Sequence, residues 1–124
     1  MVGTMKPLSI GVAGSGIGSK HIAALHSLAT RYRVLALCGI DEAKGHRLIQ
    51  ELSIPRFVPS FEELCGMDEL DVIDICTPSH LHYKQVLQGL AAGKHVVCEK
   101  PVAGSLRAID HLVQAEAASG RRVM

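Results

Sequence analysis

The chain has 124 residues, with 13 Lys or Arg against 12 Asp or Glu, so its formal net charge is +1. This length is typical of one domain that can bury a hydrophobic core without metals or disulfides, and it excludes a complete two-domain enzyme. The near-neutral charge argues against nucleic acid as the main partner, and an aromatic content of 3% leaves little for base stacking.

No membrane span or targeting segment is indicated. The sequence contains no run of about 18 apolar residues, and its first apolar run, 8–13, is too short and too glycine-rich for a signal segment. The four cysteines show no C-x-x-C spacing and are interpreted as reduced thiols, most of them buried. They are Cys38, Cys65, Cys76 and Cys98. We therefore expect a cytoplasmic protein without a metal site.

Short apolar runs alternate with longer helical patterns along the chain. The predicted strands are residues 8–13, 34–38, 57–58, 72–76 and 96–98, and another strand begins at 123–124. The predicted helices are residues 19–29, 42–52, 61–64, 80–92 and 106–119. Continuous apolar strands separated by helices are typical of a parallel sheet that is covered on both faces. The predicted fold is a doubly wound α/β domain with three layers.

Capping residues agree with these elements. Ser60 begins a capping box with Glu63, and Ser79 and Ser105 stand where the following helices need an N-cap. Gly93 and Gly120 follow two helix ends, where a left-handed residue is favoured.

A glycine-rich turn joins the first strand to the first helix. Its residues are Gly14, Ser15, Gly16, Ile17 and Gly18. A dinucleotide-binding turn needs one glycine for the tight bend, a second for close approach to the pyrophosphate, and a small third residue where helix and strand pack. That third position is either Ser19 or, with a loop one residue shorter, Gly18. The alternative is a turn that only connects strand and helix.

The end of the second strand leaves the cofactor type open. An acidic residue there usually binds the adenosine ribose, but Gly39 occupies the position. Asp41, two residues later, could bind the ribose or could be the N-cap of the next helix. A 2′-phosphate would not be repelled at Gly39, and Lys20 and Lys44 could contact one. NAD and NADP are therefore both candidate cofactors.

Two further motifs end strands on the same edge of the sheet, where open α/β sheets bind ligands. The segment 72–82 places Thr77, Pro78 and His82 there. A metal site at His80 and His82 is disfavoured, because helical residues two apart point in nearly opposite directions.

The second of these motifs, residues 93–101, ends on Glu99, Lys100 and Pro101. A lysine beside a glutamate in a cleft can bind a hydroxyl group, or can polarise a carbonyl oxygen when hydride arrives. Alternatively, Lys100 is an ordinary solvated lysine. The Lys-Pro bond could be cis, although few such bonds are.

Taken together, the segments VIDICTPSHLH (72–82) and GKHVVCEKP (93–101), behind a glycine turn followed by His21, resemble the Gfo/Idh/MocA oxidoreductases. The similarity runs from Leu8 to the end of the chain. It implies a Rossmann domain, NAD or NADP as cofactor, and a sugar, polyol or related hydroxyl compound as substrate. In this family a second α/β domain shapes the substrate site and the oligomer, so we expect a homo-oligomer.

Residue roles follow from the resemblance. It implies that the glycine turn (Gly14, Ser15, Gly16, Ile17 and Gly18) cradles the pyrophosphate, and that Thr77, Pro78 and His82 line the nicotinamide side. It also implies that Glu99 and Lys100 face the nicotinamide ribose and the substrate, that Pro101 shapes their turn, and that Lys100 is catalytic. Asp41 stays a candidate ribose ligand.

The chain departs from the family pattern in three ways. Its glycine loop is one residue short, and Gly39 stands where many members have Asp. The family's second domain, with its proton-transfer histidine, is not expected in these 124 residues. The other histidines are interpreted as structural or exposed; they are His21, His26, His46, His95 and His111. The expected function is the cofactor-binding domain of a dehydrogenase, inactive alone. The alternatives are a non-catalytic NAD(P)-sensing regulator and a structural domain.

Overall fold

The computed structural model describes residues 5–124; the predicted domain's first residues, 1–4, lie outside that range. Five parallel strands form one sheet in the order β3-β2-β1-β4-β5. The strands are β1 (Leu8–Ala13), β2 (Tyr32–Cys38), β3 (Arg56–Val58), β4 (Val72–Ile75) and β5 (His95–Cys98). Val123 pairs with Val96 in a parallel bridge, as expected for the beginning of a sixth strand.

Helices connect the strands. They are α1 (Ile17–His26), α2 (Glu42–Glu51), α3 (Phe61–Cys65), α4 (His82–Ala91) and α5 (Leu106–Ser119). Two helix starts differ from prediction: α1 begins two residues earlier, at Ile17, and the predicted helix 80–92 is a short 3-10 turn, Ser79–Leu81, followed by α4. α1 also ends earlier, at His26 instead of residue 29, and the ends of α2 and α3 each differ by one residue. Both starts lie at the carboxyl edge of the sheet, one after the glycine turn and the other after Pro78.

Each face of the sheet has its own hydrophobic core, because successive side chains of a strand point to opposite faces. On one face, Ile73 and Ile75 pack with residues of α3, α4 and α5. On the other face, Val72 and Cys76 pack with residues of α1 and α2. This arrangement confirms the predicted three-layer α/β architecture. It also turns Asp74 toward the α1 face, where it is 4% exposed.

The strand order reverses between β1 and β4, which are neighbours in the sheet although two strands separate them in sequence. Connections leave these strands in opposite directions, so a crevice opens beyond their carboxyl ends. The glycine turn follows β1, and Thr77 and Pro78 follow β4. In the described part of the chain, no helix is long and apolar enough to cross a membrane.

Candidate functional site

Gly14 makes the first bend of the glycine turn. Its φ is +108°, and a Cβ there would lie 2.4 Å from the carbonyl oxygen of Cys76. Both facts exclude any other residue, because a side chain would be strained by the backbone conformation and would overlap β4. The turn is thereby pressed against the end of β4, which closes the bottom of the crevice.

Gly16 and Gly18 have different surroundings. A Cβ at Gly16 would meet no atom within 4 Å, so this glycine faces open space. A Cβ at Gly18 would lie 3.0 Å from Cγ1 of Val12 in β1. Of the two candidates for the small third position, the structure therefore identifies Gly18, and the loop is one residue shorter than the usual motif. Ser19 instead donates its hydroxyl to the carbonyl oxygen of Gly16 (2.8 Å).

The N-terminus of α1 differs from those of α2, α3 and α5. Those three helices have side-chain caps from Asp41, Ser60 and Ser105. In the described residues no side chain caps α1, whose N-cap is Gly16, and its first turn contains no acidic residue. Its first backbone N–H groups and the positive end of its dipole are therefore available to an anion, which is how such turns bind phosphate.

A cavity of about 760 Å³ lies between this turn and the ends of β2 and β4. Its volume is within the range of small-molecule and cofactor sites. Its lining includes the predicted residues Gly14, Ser15, Gly16, Thr77 and Pro78. Gly39, Ile40 and Phe61 also line it. The other predicted site residues of the turn and of the loop after β5 are not among the residues that line it; they are Ile17, Gly18, Glu99, Lys100 and Pro101.

At the end of β2, Gly39 and Ile40 line the cavity, whereas Asp41 does not. Oδ1 of Asp41 accepts a hydrogen bond from the backbone N–H of Lys44 (3.0 Å). Of the two predicted roles for Asp41, the structure shows the N-cap of α2. No Asp, Glu, Lys or Arg is among the described residues that line the cavity.

His82 holds two loops together beneath the rim. Its ring is 1% exposed, with Nδ1 2.8 Å from the carbonyl oxygen of Pro101 and Nε2 2.8 Å from that of Thr77. This corrects the expectation that His82 lines the nicotinamide side, because its ring is buried and both nitrogens are occupied by protein. The hydroxyl of Thr77 donates to Gln85 Oε1 (2.5 Å), which fixes the side of the cavity.

The loop after β5 presents Glu99 and Lys100. The Lys100-Pro101 peptide bond is cis, and Lys100 is exposed at the rim. Glu99 is held from two sides: its backbone N–H donates to the carbonyl oxygen of Ile75 (2.9 Å), and its side chain contacts His21.

His21 joins two carboxylates, which the sequence did not predict. Its Nδ1 lies 2.7 Å from Oδ2 of Asp74, and its Nε2 lies 2.8 Å from Oε1 of Glu99. His21, which the sequence indicated only as structural or exposed, therefore belongs to a partly buried network of charged side chains. One signal was present in the sequence: Asp74 is a charged residue within a buried apolar strand, and such a residue needs a partner.

The two partners change the acid-base behaviour of the ring. Burial by itself lowers the pKa of His21, but the hydrogen bonds and charges of Asp74 and then Glu99 outweigh it, so the pKa is raised above 6.5. In turn, the hydrogen bond from His21 is the main cause that lowers the pKa of Glu99 below its ordinary value. The network therefore favours an imidazolium between two carboxylates.

Cys76 completes this cluster. Its Sγ lies 3.3 Å from His21 Nδ1 and 3.5 Å from Asp74 Oδ1. These three side chains place donor atoms within 4.8 Å of one another. The 2.7 Å contact between His21 and Asp74 is the length of a hydrogen bond, and burial raises the pKa of the Cys76 thiol, so the cluster is a hydrogen-bond network. All four cysteines are free thiols, and Cys38 and Cys76 are buried.

Comparison with known proteins identifies relatives of this chain. The chain is 34% identical over 119 residues to inositol 2-dehydrogenase of Pseudomonas savastanoi pv. phaseolicola, and the match covers 94% of the chain and 35% of the relative. It therefore spans about a third of the length of this curated relative. The fold matches an NAD binding oxidoreductase from Klebsiella pneumoniae (TM-score 0.88, 33% identity, 96% of this chain and 34% of the other).

A second solved structure is scyllo-inositol dehydrogenase from Lactobacillus casei with bound NAD(H) and scyllo-inositol. The TM-score is 0.86 at 26% identity, covering 96% of this chain and 36% of the other. A family model described as the NAD-binding Rossmann fold of the oxidoreductase family GFO_IDH_MocA matches residues 8–124. The chain belongs to this oxidoreductase family, of which it contains the NAD-binding Rossmann fold.

Proposed function

We propose that this chain binds NAD or NADP as the cofactor domain of an oxidoreductase that acts on a polyol or sugar. The observation that carries the proposal is the uncapped N-terminus of α1 behind a glycine that faces open space. Gly16 has room for a close ligand, and no side chain of residues 5–124 caps the first N–H groups of α1. These are the features that a pyrophosphate requires.

The rest of the cavity supports the same ligand. Gly39 and Ile40 line the side where an adenosine ribose would lie, and Thr77 and Pro78 line the side toward β4. A nicotinamide at the far end would lie near the loop of Glu99 and Lys100. Because no carboxylate of residues 5–124 lines the β2 side, we propose that the site accepts NADP as well as NAD.

The bound nicotinamide supplies a hydride acceptor or donor for the hydroxyl-bearing carbon of the substrate. In this reaction Lys100 is the proposed catalytic residue of the chain. Its ammonium, exposed at the rim, can donate a hydrogen bond to the substrate oxygen and so stabilise the negative charge that develops there. Glu99 holds the neighbouring backbone, and His82 ties this loop to Thr77.

The substrate class is proposed from the relatives. The curated relative is named for inositol, and the Lactobacillus casei structure contains scyllo-inositol. Another relative, 35% identical over 92 residues, is named 1,5-anhydro-D-fructose reductase, from Ensifer adhaerens. These names share a cyclic compound with several hydroxyl groups, which we propose as the substrate class. Cytoplasmic location and homo-oligomeric assembly belong to the same proposal.

The first prediction tests cofactor binding. We expect NADH to bind saturably to the 124-residue chain and Gly16→Asp to abolish the binding, because the carboxylate would occupy the phosphate position without disturbing the fold. The measurement is a fluorescence titration with NADH and NADPH.

The matched control is Gly104→Asp. Gly104 also has open space around its Cβ position, and it does not line the cavity. This variant should bind like the parent chain. The assignment would fail if neither cofactor bound the parent chain, or if Gly16→Asp bound NADH as well as the control.

A further inference from the structure

The contacts around His21 depend on the protonation state of its ring. Both ring nitrogens lie within 2.8 Å of carboxylate oxygens. An ionised carboxylate only accepts hydrogen bonds, and a neutral imidazole has one N–H. Both contacts can therefore be hydrogen bonds only while the ring is an imidazolium with two N–H groups.

The two contacts are unequal in burial. The side chain of Asp74 is 6% exposed, whereas that of Glu99 is 31% exposed. When the ring loses a proton, the remaining N–H stays with Asp74, because a buried carboxylate without a donor costs more free energy than one that water can reach. Glu99 is then the partner that is released.

Glu99 connects the ring to the rim. The neighbouring residue Lys100, through its backbone N–H and its charge, also helps to lower the pKa of Glu99. The backbone N–H of Glu99 donates to Ile75 in β4. Release of the Glu99 side chain therefore removes one of the contacts that fix the backbone carrying Lys100.

We propose that His21 is a positioning residue for the nicotinamide end of the site: its charged ring clamps Glu99 to the buried Asp74 and so fixes the loop that presents Lys100. The clamp itself is inferred from the contacts of His21. Its effect on cofactor binding rests on the proposed function. The clamp makes the site dependent on pH. Since the pKa of His21 is raised above 6.5, the clamp is complete below that pH and is lost as pH rises through the folded-state value.

The surroundings of the ring contain other titratable groups. Cys76 from β4 lies 3.3 Å from Nδ1, and burial raises the pKa of its thiol, which therefore stays protonated where His21 titrates. A groove on the α1 face contains His21 and Asp74, and its other charged or titratable lining residues are Lys20, Tyr32, His95 and Arg122. The direct partners of the ring nitrogens are the two carboxylates and this thiol.

The first test is an NMR titration of the histidine Hε1 signals of the 124-residue chain. The signal of His21 is assigned as the one that is missing from the spectrum of His21→Gln. We expect a midpoint above 6.5 in the parent chain. Glu99→Gln removes one negative charge and leaves the buried pair of His21 and Asp74 intact, so the midpoint should fall. This variant keeps the test valid if His21→Gln does not fold.

The second test follows NADH affinity from pH 5.5 to 9. We expect the affinity of the parent chain to fall about tenfold as pH rises through the His21 midpoint, the factor that about 1.4 kcal/mol represents. His21→Gln should give a flat profile. His26→Gln is the matched control, because His26 is an exposed histidine of the same helix, and it should keep the pH dependence.

Two results would overturn the clamp: a His21 midpoint that Glu99→Gln leaves unchanged, or the same affinity profile in His21→Gln as in the parent chain. Absence of NADH binding at every pH would instead overturn the proposed function. In that case the NMR titration still decides whether Glu99 and His21 are coupled.

Discussion

At the end of β2, Gly39 lines the cavity where the acidic residue of a dinucleotide site is expected, and no charged group of residues 5–124 lines that side. A Cβ there would have Phe57 and Ser15 at 3.8 Å, which is ordinary van der Waals contact. The position therefore has room for a side chain directed toward the hydroxyl of Ser15. Under the proposed function, Gly39 at this position and the use of Asp41 as a helix cap lead us to expect weak selection between NAD and NADP.

We predict that Gly39→Asp makes the chain selective for NADH. The carboxylate can accept hydrogen bonds from the ribose hydroxyls but repels a 2′-phosphate, so NADPH affinity should fall about tenfold relative to NADH. Paired titrations with the two cofactors measure this ratio, with Gly104→Asp as the control for added charge. An equal loss for both cofactors would show that Gly39 does not lie beside the 2′ position.

The sequence could not predict contacts between residues that lie far apart in the chain. The glycine turn, Thr77 and Lys100 belong to short contiguous motifs, and their spacing predicts which strand ends they occupy. His21 instead contacts residues 53 and 78 positions away in the chain. Its pairing depends on α1 lying over β4 and β5, which no local pattern specifies. The burial of His82 depends in the same way on the fold of two separate loops.

At the scale of the elements, capping residues predicted the starts of helices better than apolar patterns alone. The predicted caps Ser60 and Ser105 are both observed, each accepting an N–H at 3.1 Å. Ser79 instead begins a 3-10 turn before α4, whose N-cap is Leu81. Helix starts that carry a cap were predicted within a residue, whereas α1, which has none, was placed two residues late.

Ser105 gives an element-scale prediction. Its hydroxyl accepts the N–H of Ala108, and its backbone is extended, as an N-cap requires. Ser105→Ala should lower the free energy of unfolding by about 1 kcal/mol, because one N–H of α5 loses its partner. Urea denaturation measures the change. Ser27→Ala, which removes an exposed hydroxyl at the end of α1, should have a smaller effect, and equal effects would contradict the capping role.

At the scale of the whole molecule, the proposed cofactor site depends on the complete sheet. The cavity takes its lining from the ends of β1, β2 and β4, which come together only in the folded chain. NADH should therefore bind the folded state and not the unfolded one. By mass action, such a ligand raises the stability of the domain in proportion to the logarithm of its concentration above Kd.

We predict that NADH at about 100 times its Kd stabilises the parent chain by about 2.7 kcal/mol. For a domain of this size, that corresponds to a rise in Tm of roughly 10 °C. Without ligand, Gly16→Asp should melt at or slightly above the Tm of the parent chain, because its Cβ meets open space and an Asp at the N-cap can accept an N–H of α1. NADH should not shift the Tm of this variant. Thermal unfolding followed by circular dichroism measures both values. An equal NADH shift in the parent and in Gly16→Asp would place binding outside the glycine turn, because a ligand that does not contact Gly16 is insensitive to its replacement.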